Sequence, residues 1–299
     1  MSAEPIFLGL DLGGTHVKGI AVAADGRVLA EESRPTGDGA DGVWLENVRA
    51  LVATLRGRFP QVARAGLCAP GLAGRDERSI MAMPGRLRGL EGLDWSVELG
   101  LPTAVLNDAH AALLGEVWRG AARGQTNVLM LTLGTGVGGA AMVDGRLLRG
   151  HLGRAGHVGH LSLNPDGARD IVGTPGSLED AIGDCTVAAR TGRRFATTRD
   201  LVAAAVAGDA TAREAWTRAV RALGASLAGL INVLDPQTIV VGGGIAAAGD
   251  ALFGPLRTAL DEFEWRVGAT GVAVVPAQLG ASAGAFGAAR RAQETFQNS

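Results

Sequence analysis

The chain has 299 residues, 47% of them apolar, which is enough material for two domains with sizeable cores. The net charge is −2, from 28 basic against 30 acidic side chains with no basic run, which excludes a sequence-independent grip on nucleic acid. Cys68 and Cys185 stand alone and make no disulfide framework. No stretch approaches the roughly 18 apolar residues of a membrane span, and the N-terminus reads as no secretory signal, so a cytoplasmic protein without membrane contact is expected.

The opening reads as β-structure. Ile6 to Leu12 is an apolar run ending in Gly13-Gly14, Val17 to Ala23 is a second, and Asp25-Gly26 is a hairpin turn before Val28-Leu29-Ala30. Residues 44–58 place Val48, Leu51 and Leu55 on one face of a helix. Ala65 to Cys68 and Val105-Leu106 are short strand candidates, and 109–118 is a helix. Asn127 to Leu133 then ends in glycines, Ala140 to Val143 follows, and Asp144-Gly145-Arg146 turns the chain into Leu147-Leu148. The stretch LGLDLGGTHVKGIAVAADGRVL thus returns as LMLTLGTGVGGAAMVDGRLL, two residues shorter, which reads as a duplication at domain scale. Beyond it, 178–190, 199–207, 212–235 and 281–296 read as helices, and Thr238 to Val241 and Val272 to Val275 as strands.

Gly134, Gly136 and Gly139 fit the spacing G-x-G-x-x-G, yet a dinucleotide fingerprint must open a helix that receives the pyrophosphate. Here AAMVDGRLL follows, a strand and a turn, so an NAD site is not expected. No G-x-x-x-x-G-K-[ST] occurs either, which excludes a P-loop. What remains is two strand–glycine–strand hairpins, one per half, whose backbone N–H groups approach phosphate oxygens without Cβ interference.

With these hairpins the chain resembles the ROK family of bacterial sugar kinases, within the actin/hexokinase superfamily, over nearly its whole length. Asp11-Leu12-Gly13-Gly14-Thr15, with Lys18 just beyond, resembles the first phosphate motif, and Leu133-Gly134-Thr135-Gly136-Val137-Gly138-Gly139 the second. Leu106-Asn107-Asp108-Ala109 resembles the segment carrying the catalytic base. Gly156-His157-Val158-Gly159-His160 resembles the family's Gly-Glu-Ile-Gly-His sugar segment, and Gly176-Ser177-Leu178-Glu179 its Gly-Cys-Leu-Glu. Ile239-Val240-Val241-Gly242-Gly243-Gly244 resembles the adenosine-side motif.

The resemblance implies an α/β, two-domain actin-like ATPase (ribonuclease H-like) fold, with duplicated mixed sheets flanked by helices around a cleft. The first domain would span 1–117 plus the C-terminal helix 284–299, the second 118–283. It implies phosphoryl transfer from ATP, with Mg²⁺, to a sugar hydroxyl. Asp108 would be the general base, and Asn107, His157, His160 and Glu179 would meet the sugar. Asp11 would hold the Mg²⁺ through water, Gly13, Gly14, Thr15, Lys18, Gly134, Thr135 and Gly136 would surround the phosphates, and Gly242, Gly243 and Gly244 would line the adenosine side. A homodimer is implied likewise. Read without the resemblance, Asp108 is an N-cap of the following helix.

Three positions depart from the family. His157 stands where the family has a Glu that contacts sugar hydroxyls, and neutral imidazole offers a donor and an acceptor where a carboxylate only accepts. Residues 161–178 hold none of the three cysteines that, with the His of the sugar segment, make the family's zinc site, so no structural zinc is expected. His151, His157, His160 and Cys185 are not read as a substitute, Cys185 lying in an expected helix. Finally, 83–95 reads MPGRLRGLEGLDW where the family often has Pro-Asn-Leu. Arg86 there reads either as a contact for an anionic substituent or as a solvated charge. The competing function is a catalytically altered sugar-binding or regulatory relative, for which the early first strand leaves no room for a DNA-binding module.

Overall fold

The computed structural model describes residues 4–39, 42–83, 85–268 and 270–297. Residues 1–3 and 298–299 at the ends of the expected first domain, and Pro84 of the sugar-loop segment, lie outside these described residues. In chain order the elements are β1 (Ile6–Leu12), β2 (His16–Ala23), β3 (Val28–Pro35), α1 (Val43–Arg58), β4 (Val62–Ala69), β5 (Leu72–Ala73), β6 (Ile80–Ala82), α2 (Trp95–Leu99), β7 (Thr103–Asn107) and α3 (Asp108–Arg119). There follow β8 (Val128–Leu133), β9 (Val137–Val143), β10 (Arg146–Leu147), α4 (Leu178–Ile182), α5 (Val187–Arg190), α6 (Thr198–Val206) and α7 (Ala210–Leu234). The chain ends with β11 (Thr238–Gly242), α8 (Asp250–Phe263), β12 (Ala273–Pro276) and α9 (Ala283–Gln297). Two compact units result: 1–124 with 149–155 and 278–299, and 125–148 with 156–277.

The first unit is a five-stranded mixed sheet in the order β3-β2-β1-β4-β7. β1, β2 and β3 are antiparallel neighbours, while β4 and β7 run parallel to β1. Period-two alternation sends Ile6, Leu8, Leu10 and Leu12 of β1 into a core with Trp44, Val48, Leu51 and Leu55 of α1. Each such leucine contributes about 1.5–3 kcal/mol by leaving water. Phe7 points the other way, against Ala285, Ala289 and Ala292 of α9. On that face Gly9 and Gly66 are paired across β1 and β4, and a Cβ on either would overlap the carbonyl oxygen of Ala285 or Ala288. The small residues at the start of α9 therefore let its backbone lie directly on the sheet. Buried Glu116 of α3 fastens the chain's return to this unit, accepting from Gln278 N–H (3.0 Å) and Leu279 N–H (2.8 Å).

The second unit repeats the strand order as β10-β9-β8-β11-β12, with the same directions. Leu129, Leu131 and Leu133 of β8 join Ile239 and Val241 of β11 against Leu223, Leu227 and Ile231 of α7 and Leu252, Leu256 and Leu260 of α8. Pro255 sits inside α8 and has no N–H for the carbonyl of Ala251. The Trp216 indole of α7 donates to that oxygen instead, at 2.8 Å, so the missing backbone bond is replaced.

The expected elements are found with one correction, while α2, α8, β5 and β6 were not expected from the sequence pattern. The helix expected over 178–190 is broken at Gly183 into α4, a 3₁₀ turn at Asp184–Thr186 and α5. The reason is tertiary: the Asp184 and Cys185 N–H groups donate to Gly134 O (3.0 Å) and Thr135 O (2.9 Å) of the second glycine turn. Cys185 accordingly lies in that 3₁₀ turn, exposed, and not in a helix.

Candidate active site

In the first unit the C-terminal ends of the parallel strands β1 and β7 carry predicted site residues, with β4 between them. Asp11 ends β1 with Lys18 of β2 and Cys68 of β4 as its registered neighbours. The turn Gly13–Thr15 is braced from outside: the Thr36 hydroxyl donates to Gly13 O (2.6 Å) and the Thr36 N–H to Thr15 O (2.8 Å). Lys18 donates its ammonium to Ala281 O, 3.1 Å away. Burial, and then the neighbouring Asp108 carboxylate, push the half-buried Asp11 carboxyl up to about 6, although the Cys68 thiol donates to it and Lys18 draws it down. Burial raises the Cys68 thiol well above its ordinary range, so it stays protonated as that donor.

Asn107 and Asp108 join β7 to α3. The helix cap is Asn107, which corrects the reading of Asp108 in that role. The Asn107 side chain accepts from Ala109 N–H (2.9 Å) and His110 N–H (3.3 Å) and donates to Gly71 O (2.9 Å). With the cap supplied one residue earlier, Asp108 becomes the first helical residue and presents its side chain to solvent. The protein mass around it nevertheless strips enough water to hold its carboxyl above the ordinary range, against hydrogen bonds from Ala109 N–H (2.8 Å) and the Asn107 amide. Asp11 and Asp108 are thus two under-neutralised carboxyls at the ends of β1 and β7, on either side of β4.

Arg86 is no isolated surface charge. Its Nε donates to Asp38 at 3.1 Å, and its guanidinium lies so close over Gly14 that a Cβ there would overlap it. Asp38 was not singled out from the sequence. Its carboxyl is held below the usual range by the Leu87 N–H first and by Arg86 with it.

The second unit brings together the other predicted motifs. Gly134 N–H donates to Gly136 O (2.9 Å), tightening the second turn. Glu179, near the start of α4, accepts from Val137 N–H at 2.9 Å, and a Cβ on Gly136 would overlap its Oε2. Glu179 therefore braces the glycine turn, a contact not foreseen from its place in the sugar motif. Gly134, Thr135 and Gly244 line one cavity of about 630 Å³ with Asp184, Thr197, Thr198 and Ile245. Gly243 beside it has φ +88°, a backbone conformation that suits glycine, and Gly242 closes β11. Thr197 and Asp200 form a reciprocal cap on α6: Thr197 Oγ1 accepts from Asp200 N–H (3.1 Å) and donates to Asp200 Oδ2 (2.7 Å). The Thr-x-x-Asp pattern was a visible signal for this wall of the cavity.

His157 precedes a single 3₁₀ turn, Val158–His160. His160 ends it with Nδ1 2.8 Å from Asp170 Oδ2. Among the described residues, no group of three or more His, Cys, Asp or Glu side chains is placed to hold a metal ion. For zinc the donor set does not fit, since 161–178 contain no thiolate and the His160 Nδ1 faces a carboxylate. For a magnesium nucleotide it fits. In the second unit the cavity has the volume of a small-ligand site, and nothing obstructs the space a Cβ at Gly134 would enter; in the first unit, taken by itself, Asp11 offers an oxygen donor whose raised carboxyl a cation would relieve.

Fold, duplicated sheets and paired glycine turns together define a carbohydrate kinase of the actin-like class. The chain belongs to the ROK family, whose model matches residues 7–295. It is 32% identical over 315 residues to a glucokinase of Streptomyces coelicolor, covering 96% of this chain and 97% of the relative. Among solved structures it is similar to a ROK hexokinase from Thermus thermophilus, with a TM-score of 0.84, 30% identity and coverage of 98% of this chain and 100% of that one. A ROK family glucokinase from Streptomyces griseus, in complex with glucose and AMPPNP, gives a TM-score of 0.80 at 28% identity, covering 97% of this chain and 99% of the other.

Proposed function

We propose that this carbohydrate kinase transfers the γ-phosphoryl group of ATP, as its magnesium complex, to a hydroxyl of a hexose or related sugar, with Asp108 as general base. The observation that carries the reading is Asp108 itself: a solvent-reaching carboxylate at the first position of α3, released from capping by Asn107 and made more basic by its surroundings. A carboxyl raised above its ordinary range is better matched to taking a proton from an alcohol. The sugar oxygen forms its bond to phosphorus as the bond to the β-phosphate oxygen breaks; Asp108 receives the proton and ADP leaves. Mg²⁺, when bound, neutralises charge on the phosphates, and Asp11 would hold it through water. The glycine turns at 13–15 and 134–136 orient phosphate oxygens by backbone N–H groups, Lys18 adds positive charge, and the cavity beside Gly244 takes the adenosine.

His157, His160, Glu179 and the remaining amide hydrogen of Asn107 are the proposed sugar contacts. With His157 supplying a donor as well as an acceptor, the preferred sugar differs from that of a Glu-bearing relative. A cytoplasmic homodimer without structural zinc is the proposed working form. The test is ADP release with Mg-ATP across hexoses, N-acetylhexosamines and polyols, with Asp108→Asn in parallel. Sugar-dependent release that falls by about 10²-fold or more in the variant is expected, the scale of a lost general base. A folded variant of undiminished turnover removes Asp108 from the mechanism. Nucleotide binding without turnover on any sugar would instead favour a binding-only relative, with His157→Glu as the first reversion.

A further inference from the structure

Residues 161–177 form a loop that closes on itself without helix or strand. Leu163 N–H donates to Gly176 O (2.8 Å), Leu178 N–H to Leu161 O (2.9 Å), and the Ser162 hydroxyl to Pro175 O (2.7 Å). At its centre is Asp170, whose side chain is completely buried. Oδ1 accepts from Val172 N–H (3.0 Å) and Thr174 N–H (2.8 Å), and Oδ2 faces His160 Nδ1 at 2.8 Å. Burial alone would raise this carboxyl, but the His160 contact, the two backbone donors and the Ser177 side chain outweigh it and hold it below the ordinary range.

An ionised carboxylate has no proton to give, so the proton shared with His160 resides on Nδ1. A neutral imidazole carries one N–H, which leaves Nε2 as a lone pair. We propose that Asp170 is a positioning residue that fixes His160 in the Nδ1–H tautomer, so that Nε2 accepts a hydrogen bond from a sugar hydroxyl, in a loop organised by this carboxylate where the family resemblance would place zinc. The sugar half of the proposal rests on the kinase reading above; the tautomer does not.

Asp170→Asn separates the two. Oδ1 retains both backbone donors, so the new amide NH₂ must face His160 and donate to Nδ1, driving the imidazole proton to Nε2. The same logic governs tautomer control in a His–Asp catalytic pair. The measurement is long-range ¹H–¹⁵N correlation of the imidazoles, with His160→Gln to assign the signal among the five histidines. Nδ1–H is expected in the parent protein and Nε2–H in Asp170→Asn. The sugar KM of the variant should rise about 10- to 100-fold, the penalty of setting two donors against each other, with the ATP KM unchanged. A parent protein already in the Nε2–H form overturns the proposal, as does one equivalent of zinc per chain whose chelation loosens hydrogen exchange in 161–177; both are read without the variant should it fail to fold. A switched tautomer with an unaltered sugar KM overturns the sugar contact and leaves the kinase reading intact.

Discussion

In the first unit Gly9 lies beside Gly66 across the β1–β4 pair, while in the second the matching neighbours across β8–β11 are Met130 and Val240. The strand orders are the same, yet one sheet accepts the bare backbone of α9 on this face and the other fills the position with buried side chains. The strand ends differ in the same manner. Asp11 lies two residues before the first glycine turn, and Thr132 holds the equivalent place before the second. One copy thus gathers carboxylates, while the other is neutral at that point and has a cavity lined by its turn. Duplication preserved the scaffold, and substitution at matched positions divided the chemistry.

The sharpest way to break this contrast is Gly66→Ala. Its Cβ would meet a backbone carbonyl that neither sheet nor helix can withdraw, so a loss of about 3 kcal/mol or more is expected. Val240→Ala, which only leaves a small void, should cost about 1–2 kcal/mol. Urea melts of the two variants make the comparison, and equal losses would mean α9 is free to shift.

Gly136→Ala tests the second turn. Displacing Glu179 at an overpacking cost of about 1–3 kcal/mol should raise the ATP KM roughly tenfold while the turn of the first unit stays unchanged. A change confined to the sugar KM would assign the Glu179 brace to sugar binding alone.

Asp11→Asn probes the charge on the other side of the comparison. The folded-state carboxyl titrates near 6, above its unfolded value of 3.8, so the fold is favoured with Asp11 protonated. That advantage is fully present below about pH 4 and lost as pH rises through 6. Removing the charge should therefore raise the stability of the nucleotide-free protein by about 1–2 kcal/mol at pH 7.5, after allowance for partial solvent access. The gain should fade toward pH 4 in thermal melts, and a gain independent of pH would assign it to packing. The smallest effect belongs to Thr197→Ala, which removes the reciprocal cap on α6 at about 1 kcal/mol and should barely move turnover.

Much of the candidate site was legible because its residues are contiguous. Asp11 to Thr15, Gly134 to Gly136 and Gly242 to Gly244 are short runs at strand ends, where alternation and glycine announce a turn. The repeat itself was visible as two matched strings. Less legible was α8, because Pro255 argues against a helix until Trp216 supplies the missing donor from an element over thirty residues away. The cap of α3 was misplaced by one residue, since Asn107 and Asp108 are both good caps and only the exit direction of β7 selects between them. Asp170 gave no signal, because a loop without periodicity conceals which carboxylate its backbone will enclose.

By itself, then, the amino-acid order determined the strands, the duplicated hairpins and the motifs that identify a sugar kinase, all of which depend on interactions within a few residues. Only the tertiary structure decided that Gly183 breaks a helix, that Glu179 braces the second phosphate turn, that Arg86 lies over Gly14 and that Asp170 holds His160. Each of those contacts joins residues separated along the chain. Such pairings arise only when the chain has folded, and no local pattern encodes them.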